Sequence, residues 1–110
     1  MMALGCLAGL LAVALAAAVA HLGLGEAEAR MLGSVTQLLG WHAPALLVMG
    51  LWGTPARWGG RLVALGLTLF AVAVLTRVFA GVSLGPVAPV GGIAMMLGWG
   101  WLGVVAWRRR

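Results

Sequence analysis

Four long apolar tracts, separated by short polar segments, account for nearly the whole chain. The tracts cover residues 1–25, 31–56, 62–76 and 78–107, and histidine is the only ionisable side chain within them apart from one cysteine. A helix needs about 20 mainly apolar residues to cross the hydrocarbon core of a membrane. The pattern therefore predicts an integral membrane protein with an all-α fold, a four-helix bundle that forms a single transmembrane domain over residues 1–110.

The breaks between the tracts predict where each span ends. Segments rich in glycine and proline at 53–60 and 81–89 interrupt helices, and Glu26, Glu28 and Arg30 indicate a polar connection after the first tract. We therefore predict spans at about 2–22, 36–52, 61–79 and 90–107. Because the first tract lacks a basic n-region and is too long for a signal peptide, we expect it to be a retained span.

Composition leaves no room for a soluble domain. Only 8% of the residues are charged and 64% are hydrophobic, whereas soluble domains are about 25% charged. All basic residues are arginines, placed between spans and at residues 108–110. This placement indicates topology signals and contact with membrane lipids, and it argues against nucleic acid as a partner. No soluble substrate is evident.

The arginines also predict the orientation in the membrane. One side of a four-span bundle holds Arg57, Arg61 and residues 108–110, while the other holds Arg30 and Arg77. Because the side richer in arginine faces the cytoplasm, we expect both termini to be cytoplasmic in a multi-pass protein of the bacterial inner membrane. Arg77 follows an apolar tract too short to span, so we expect its helix to continue and its guanidinium to reach the outer surface.

Small residues recur along spans 1 and 4 at spacings typical of close helix contacts. Gly5 and Gly9 form a GxxxG pattern, and Gly98 follows Ala94 in span 4. We expect spans 1 and 4 to pack inward, although such faces could instead serve a partner subunit. The predicted structural or interface residues are Gly5, Gly9, Gly92, Gly98, Trp99, Trp101 and Arg77.

Two histidines are the candidates for chemistry. His21 ends span 1 and His42 lies about two turns into predicted span 2, so both are expected in the outer leaflet, close enough to meet. They could bind haem, a metal or a quinone, or could satisfy each other or a backbone carbonyl. Without a third ligand or a carboxylate, and with Cys6 as the single cysteine, we predict structural roles and neither a metal nor another cofactor.

Several segments together resemble a family of known architecture. These are Pro89-Val90-Gly91-Gly92 with Gly98-Trp99, His42-Ala43-Pro44-Ala45-Leu46-Leu47, Ala20-His21-Leu22, and Gly66 with Phe70. The chain is similar to the YgdD-like family of small four-span inner-membrane proteins, the domain of unknown function numbered four-two-three. The resemblance implies a four-helix membrane bundle and no established activity. Polar groups common in the family are replaced here by alkyl side chains at 38–39 and 71–75, as in a diverged member.

The absence of a catalytic motif leaves three functional hypotheses. The first is a non-enzymatic structural or accessory subunit that packs against a larger respiratory or photosynthetic complex. The second is a subunit that contacts a quinone or haem through His21 and His42. The third is a small four-span transporter, although proton-coupled exporters need a carboxylate within the membrane and Glu26 and Glu28 are expected in a loop.

Overall fold

A computed structural model describes residues 1–109, and all regular secondary structure in that range is helical. The chain forms α1 (Met2–His21), α2 (Glu26–Trp52), α3 (Arg57–Ala80) and α4 (Val87–Arg108), with a 3-10 turn at Thr54–Ala56. Three segments are long and apolar enough to cross a membrane: Met2–His21, Thr54–Ala80 and Val87–Arg108. The predictions of an all-α fold and of a membrane protein are confirmed. The last residue of the predicted arginine cluster, Arg110, lies outside the described residues.

The connection after α1 is shorter than predicted: residues 22–25 are non-helical, whereas Glu26, Glu28 and Arg30 belong to α2. α2 begins at Glu26, well before residue 36, and its first turn contains Glu26 and Glu28. Acidic side chains stabilise a helix at this end because the backbone dipole is positive there. The Glu28 carboxylate also folds back against Gly25, the N-cap residue. α2 is therefore 27 residues long, or about 40 Å.

The other helix starts differ from prediction for related reasons. α3 begins at Arg57, directly after the 3-10 turn, and α4 begins at Val87. Pro89 falls in the first turn of α4, where a backbone N–H is not needed for a helical hydrogen bond. Sequence breakers at these points thus mark the first turns of helices as well as the connections between them.

The helices pack as two antiparallel hairpins, α1–α2 and α3–α4, which meet mainly through α2 and α3. In the first hairpin, Gly5 and Gly9 of α1 face Ala43 of α2, and Met2 faces Gly50. The principal extents are 48 × 26 × 18 Å, so the molecule is flat, about two helix diameters thick. α1 packs mainly against α2, and α4 packs mainly against α3.

Among the described helices, α2 has the most buried side chains other than glycine. Its buried residues follow alternating spacings of three and four, the repeat of a helix seam that contacts neighbours along its length: Leu32, Val35, Leu39, His42, Leu46 and Met49. α1 instead exposes large apolar side chains such as Leu10 and Val13. α2 thus combines the most polar residues with the longest row of buried side chains.

α3 and α4 approach through glycines on both helices. A Cβ atom added to Gly91 would lie 2.6 Å from the carbonyl oxygen of Gly66, and one added to Gly98 would lie 2.8 Å from that of Gly59. No real side chain fits at such distances, so the two backbones are in direct contact. Such contact is how helices associate in lipid, where hydrophobic sorting between them is absent.

Candidate functional site

His42 is the one polar side chain that is buried among residues 1–109, with 7% of its surface exposed. Its Nδ1 atom lies 2.7 Å from the carbonyl oxygen of Leu38, one turn earlier in α2. Its Nε2 atom lies 3.0 Å from the indole nitrogen of Trp99 in α4. The two rings are tilted by 58° with centroids 5.8 Å apart. This pair joins the two hairpins through side chains 57 positions apart in the chain.

The partners determine the protonation of the imidazole. An indole nitrogen only donates, so Trp99 donates to Nε2, which must be unprotonated. A carbonyl only accepts, so Nδ1 carries the proton and donates it to Leu38. His42 is therefore the neutral Nδ1–H tautomer with both ring nitrogens occupied. It offers no lone pair to haem iron or to another metal while the Trp99 bond is intact.

The structure separates the two histidines, which the sequence placed at similar depth and close enough to meet. His21 is the exposed last residue of α1, whereas Gly9 is opposite Ala43 in the hairpin. At about 1.5 Å per residue, His21 and His42 are roughly 16 Å apart along the helix axes. The expected similar depth was wrong because α2 begins ten residues earlier than predicted, which places His42 near the middle of that helix.

The predicted structural residues fall into distinct environments. Gly5, Gly9 and Gly98 face a neighbouring helix, whereas a Cβ atom on Gly92 would meet nothing within 4 Å. Arg77 is exposed in the last turn of α3, in keeping with the expected continuation of that helix. These positions leave Gly92 without a packing role inside the chain.

Trp99 and Trp101 point to different sides of α4. Two helical positions differ by about 200° around the axis. Trp99 turns toward His42, whereas Trp101 lines a cleft with Trp58 and Arg61 of α3. Each is about half exposed. The two tryptophans therefore belong to two separate surfaces.

A second apolar cavity, of about 170 Å³, is lined by residues of α1, α2 and α3. Leucines dominate its lining, and the hydroxyl of Thr68 donates to the carbonyl of Ala64 at 2.8 Å. It contains no free polar group that would orient a ligand. Within residues 1–109, no cluster of three or more histidine, cysteine, aspartate or glutamate side chains could hold a metal.

The sequence did not reveal the Trp99 partner of His42 or the contacts of Arg57 and Arg61 with Trp58. The guanidinium carbons lie 5.6 and 5.2 Å from the centroid of that indole. The contact of Arg61 with Trp58 had a local signal in the sequence, because residues i and i+3 share a helix face, whereas Arg57 and Trp58 are adjacent in the chain. The histidine–tryptophan pair had none, because it depends on how two hairpins meet.

One comparison identifies relatives of the chain. Residues 12–92 match the model of a family described as "Protein of unknown function (DUF423)". No curated protein and no solved structure matches the chain. The matched range includes both histidines, the α2 seam and the Gly66–Gly91 contact.

Proposed function

The chain belongs to the DUF423 family of proteins of unknown function, and we propose that it is a non-enzymatic accessory subunit of a larger membrane complex. Its predicted relationship to the domain of unknown function numbered four-two-three is thereby confirmed. The proposed role is lateral: one face of the bundle packs against helices of partner subunits, such as those of a respiratory or photosynthetic assembly.

The outward face of α4 carries this proposal. A Cβ atom added to Gly92, Gly100 or Gly103 would have no neighbour within 4 Å. A glycine facing lipid contributes little to stability, whereas small residues on a helix surface allow another helix to approach closely. Half-exposed Trp99 lies beside this face at mid-helix, close to the line through Gly92 and Gly103. The face therefore suits a helix from another chain.

Copurification after extraction with mild detergent tests the proposal. We expect the wild-type chain to migrate with a larger assembly, and Gly103→Leu to release it while the isolated chain keeps its thermal stability. Stability should be unchanged because nothing inside the chain contacts that position. A Leu side chain on the outer face would, by contrast, hold a partner helix away.

Ala17→Leu is the matched control, because it adds the same side chain to an exposed position on α1. This variant should remain in the assembly. A wild-type chain that runs as a single small particle after mild extraction would contradict the proposal, and so would equal release by both variants.

We extend the proposal to four spans with cytoplasmic termini in the bacterial inner membrane. α2 is less apolar than the three candidate spans but packs between α1 and α3 through a continuous row of buried side chains. Antiparallel packing puts Arg57, Arg61 and Arg108 at the same end as Met1. Arg30 and Arg77 lie at the other end. Tags on either terminus should resist external protease in intact cells, and cleavage of either tag would reject this orientation.

The alternative functions have less support from the geometry. A haem or quinone site on His21 and His42 requires two ring nitrogens near one ligand, but the residues are far apart and His42 is already bonded to Trp99. A proton-coupled transporter requires a carboxylate within the membrane. Glu26 and Glu28 lie instead in the first turn of α2.

A further inference from the structure

We infer that the cleft between the first turns of α3 and the end of α4 binds an anionic glycerophospholipid, with its phosphate at Arg57 and Arg61 and an acyl chain in the cleft. This site is separate from the outer face of α4 assigned to a partner subunit. The cleft has a volume of about 480 Å³, within the roughly 300–1,000 Å³ typical of small-molecule sites.

Uncompensated positive charge is the first observation behind this inference. Arg57 and Arg61 both lie over the indole of Trp58, at 5.6 and 5.2 Å. The two acidic side chains of the chain, Glu26 and Glu28, are at the opposite end of α2, about 40 Å away. The first turn of α3 adds the positive end of its backbone dipole. Neither acidic side chain can therefore pair with the two guanidinium groups, which are available to an external anion.

The shape of the cleft selects a lipid over a free ion. Arg61, Trp58 and Trp101 form the rim, and the lining continues one turn further along the helices with Leu62, Leu65 and Leu97. A phosphate at the rim can accept paired hydrogen bonds from guanidinium groups. The leucines below offer an apolar wall to an acyl chain. From the rim inward, the cleft therefore offers a charged group to the phosphate and then apolar side chains to the acyl chain.

The stacking on Trp58 restrains both arginine side chains before any ligand binds. An arginine held against an aromatic ring has fewer conformations to lose when a phosphate binds. Arg57, Trp58 and Arg61 are all exposed, so their side chains are available to lipid. The site should therefore show a preference for anionic headgroups beyond that of a diffuse positive surface.

Native mass spectrometry of the full chain in detergent tests the inference. The probes are phosphatidylglycerol and phosphatidylcholine with identical acyl chains, offered in equal amounts. We expect wild type to retain phosphatidylglycerol preferentially. In Arg57→Gln/Arg61→Gln, the ratio of bound phosphatidylglycerol to bound phosphatidylcholine should fall roughly tenfold. The control Arg108→Gln/Arg109→Gln removes the same charge from the same end and should keep the preference.

Two further measurements distinguish a lipid site from simple charge. Leu65→Trp, which fills the cleft but keeps both arginines, should lower retention of phosphatidylglycerol, and excess inorganic phosphate should not displace the bound lipid. The inference is overturned if both double variants lose the preference equally, if neither does, if Leu65→Trp binds as wild type does, or if phosphate displaces the lipid.

Discussion

The two hairpins bring their backbones together in different ways. In α3–α4, Gly66 faces Gly91, and each glycine lies against the backbone of the other. In α1–α2, glycines lie on both helices but none faces another glycine: Gly5 and Gly9 meet Ala43, and Gly50 meets Met2. There a Cβ atom on Gly9 would lie 3.6 Å from the Cβ atom of Ala43, an ordinary contact distance. The α3–α4 contact is thus closer and has no side chain that could move aside.

This difference shows that a glycine motif does not by itself reveal how tight a contact is. Gly5 and Gly9 form the GxxxG pattern that stands out in the sequence, yet only Gly5 lies against a backbone atom, the carbonyl oxygen of Ala43. Gly66 and Gly91 belong to no such pattern. Their mutual approach allows weak Cα–H···O contacts between helices, and it makes the second hairpin the less tolerant of added side chains.

Gly66→Leu should give the largest effect. Its side chain would meet the backbone of Gly91 and Met95, so α3 and α4 would have to separate. We expect the free energy of unfolding to fall by about 3 kcal/mol or more, the upper end of the cost of overpacking. Thermal unfolding of the purified chain in detergent measures this. Gly92→Leu, at a position with open space, is the control, and equal stability of the two variants would disprove the backbone contact.

In the first hairpin, Gly5→Ala should lower stability more than Gly9→Ala does, and the difference should be smaller than that between Gly66→Leu and Gly92→Leu. The new methyl group in Gly5→Ala would lie 2.8 Å from the carbonyl oxygen of Ala43, so we expect a loss of about 1–3 kcal/mol. Gly9→Ala should change stability by less than about 0.5 kcal/mol. The same unfolding measurement applies. If Gly9→Ala is the more damaging variant, our account of the α1–α2 contact is wrong.

The hydrogen bond between Trp99 and His42, which joins the two hairpins, should contribute least to the free energy of unfolding. Trp99→Phe removes the donor to His42 Nε2, and interhelical side-chain hydrogen bonds in membranes average about 0.6 kcal/mol, with a maximum near 1.7. We expect a loss in that range, and a somewhat larger one in His42→Ala, which also removes buried volume. Trp101→Phe, a similar change outside this pair, is the control and should have little effect.

An absorption spectrum tests whether His42 or His21 is a haem ligand. If His42 joins helices and binds no haem, the purified wild-type chain has no Soret band. A Soret band that either His42→Ala or His21→Ala abolishes would show that the histidines are ligands and would overturn the structural role.

Parts of the packing were accessible from the sequence, and the failures have a common cause. Gly5 and Gly98 were expected to face helices and do so, because small residues in apolar tracts have few other uses. A backbone carbonyl was among the expected partners of His42, and Leu38 supplies it. The start of α2 was missed because acidic residues near a glycine suit both a loop and the first turn of a helix. That single error also misplaced His42 relative to His21.

By itself the sequence determined the membrane environment, the all-α fold class and the C-terminal ends of the helices, and its motifs identified the family. The environment, the fold class and the helix ends depend on apolar runs of sufficient length and on local breakers, which a short window of residues contains. Only the tertiary structure decided that Trp99 bonds to His42, that Gly66 faces Gly91, and that Trp101 shares a cleft with Arg61. In a membrane protein, lipid-facing and buried positions are equally apolar, so hydropathy cannot tell which faces of the helices meet.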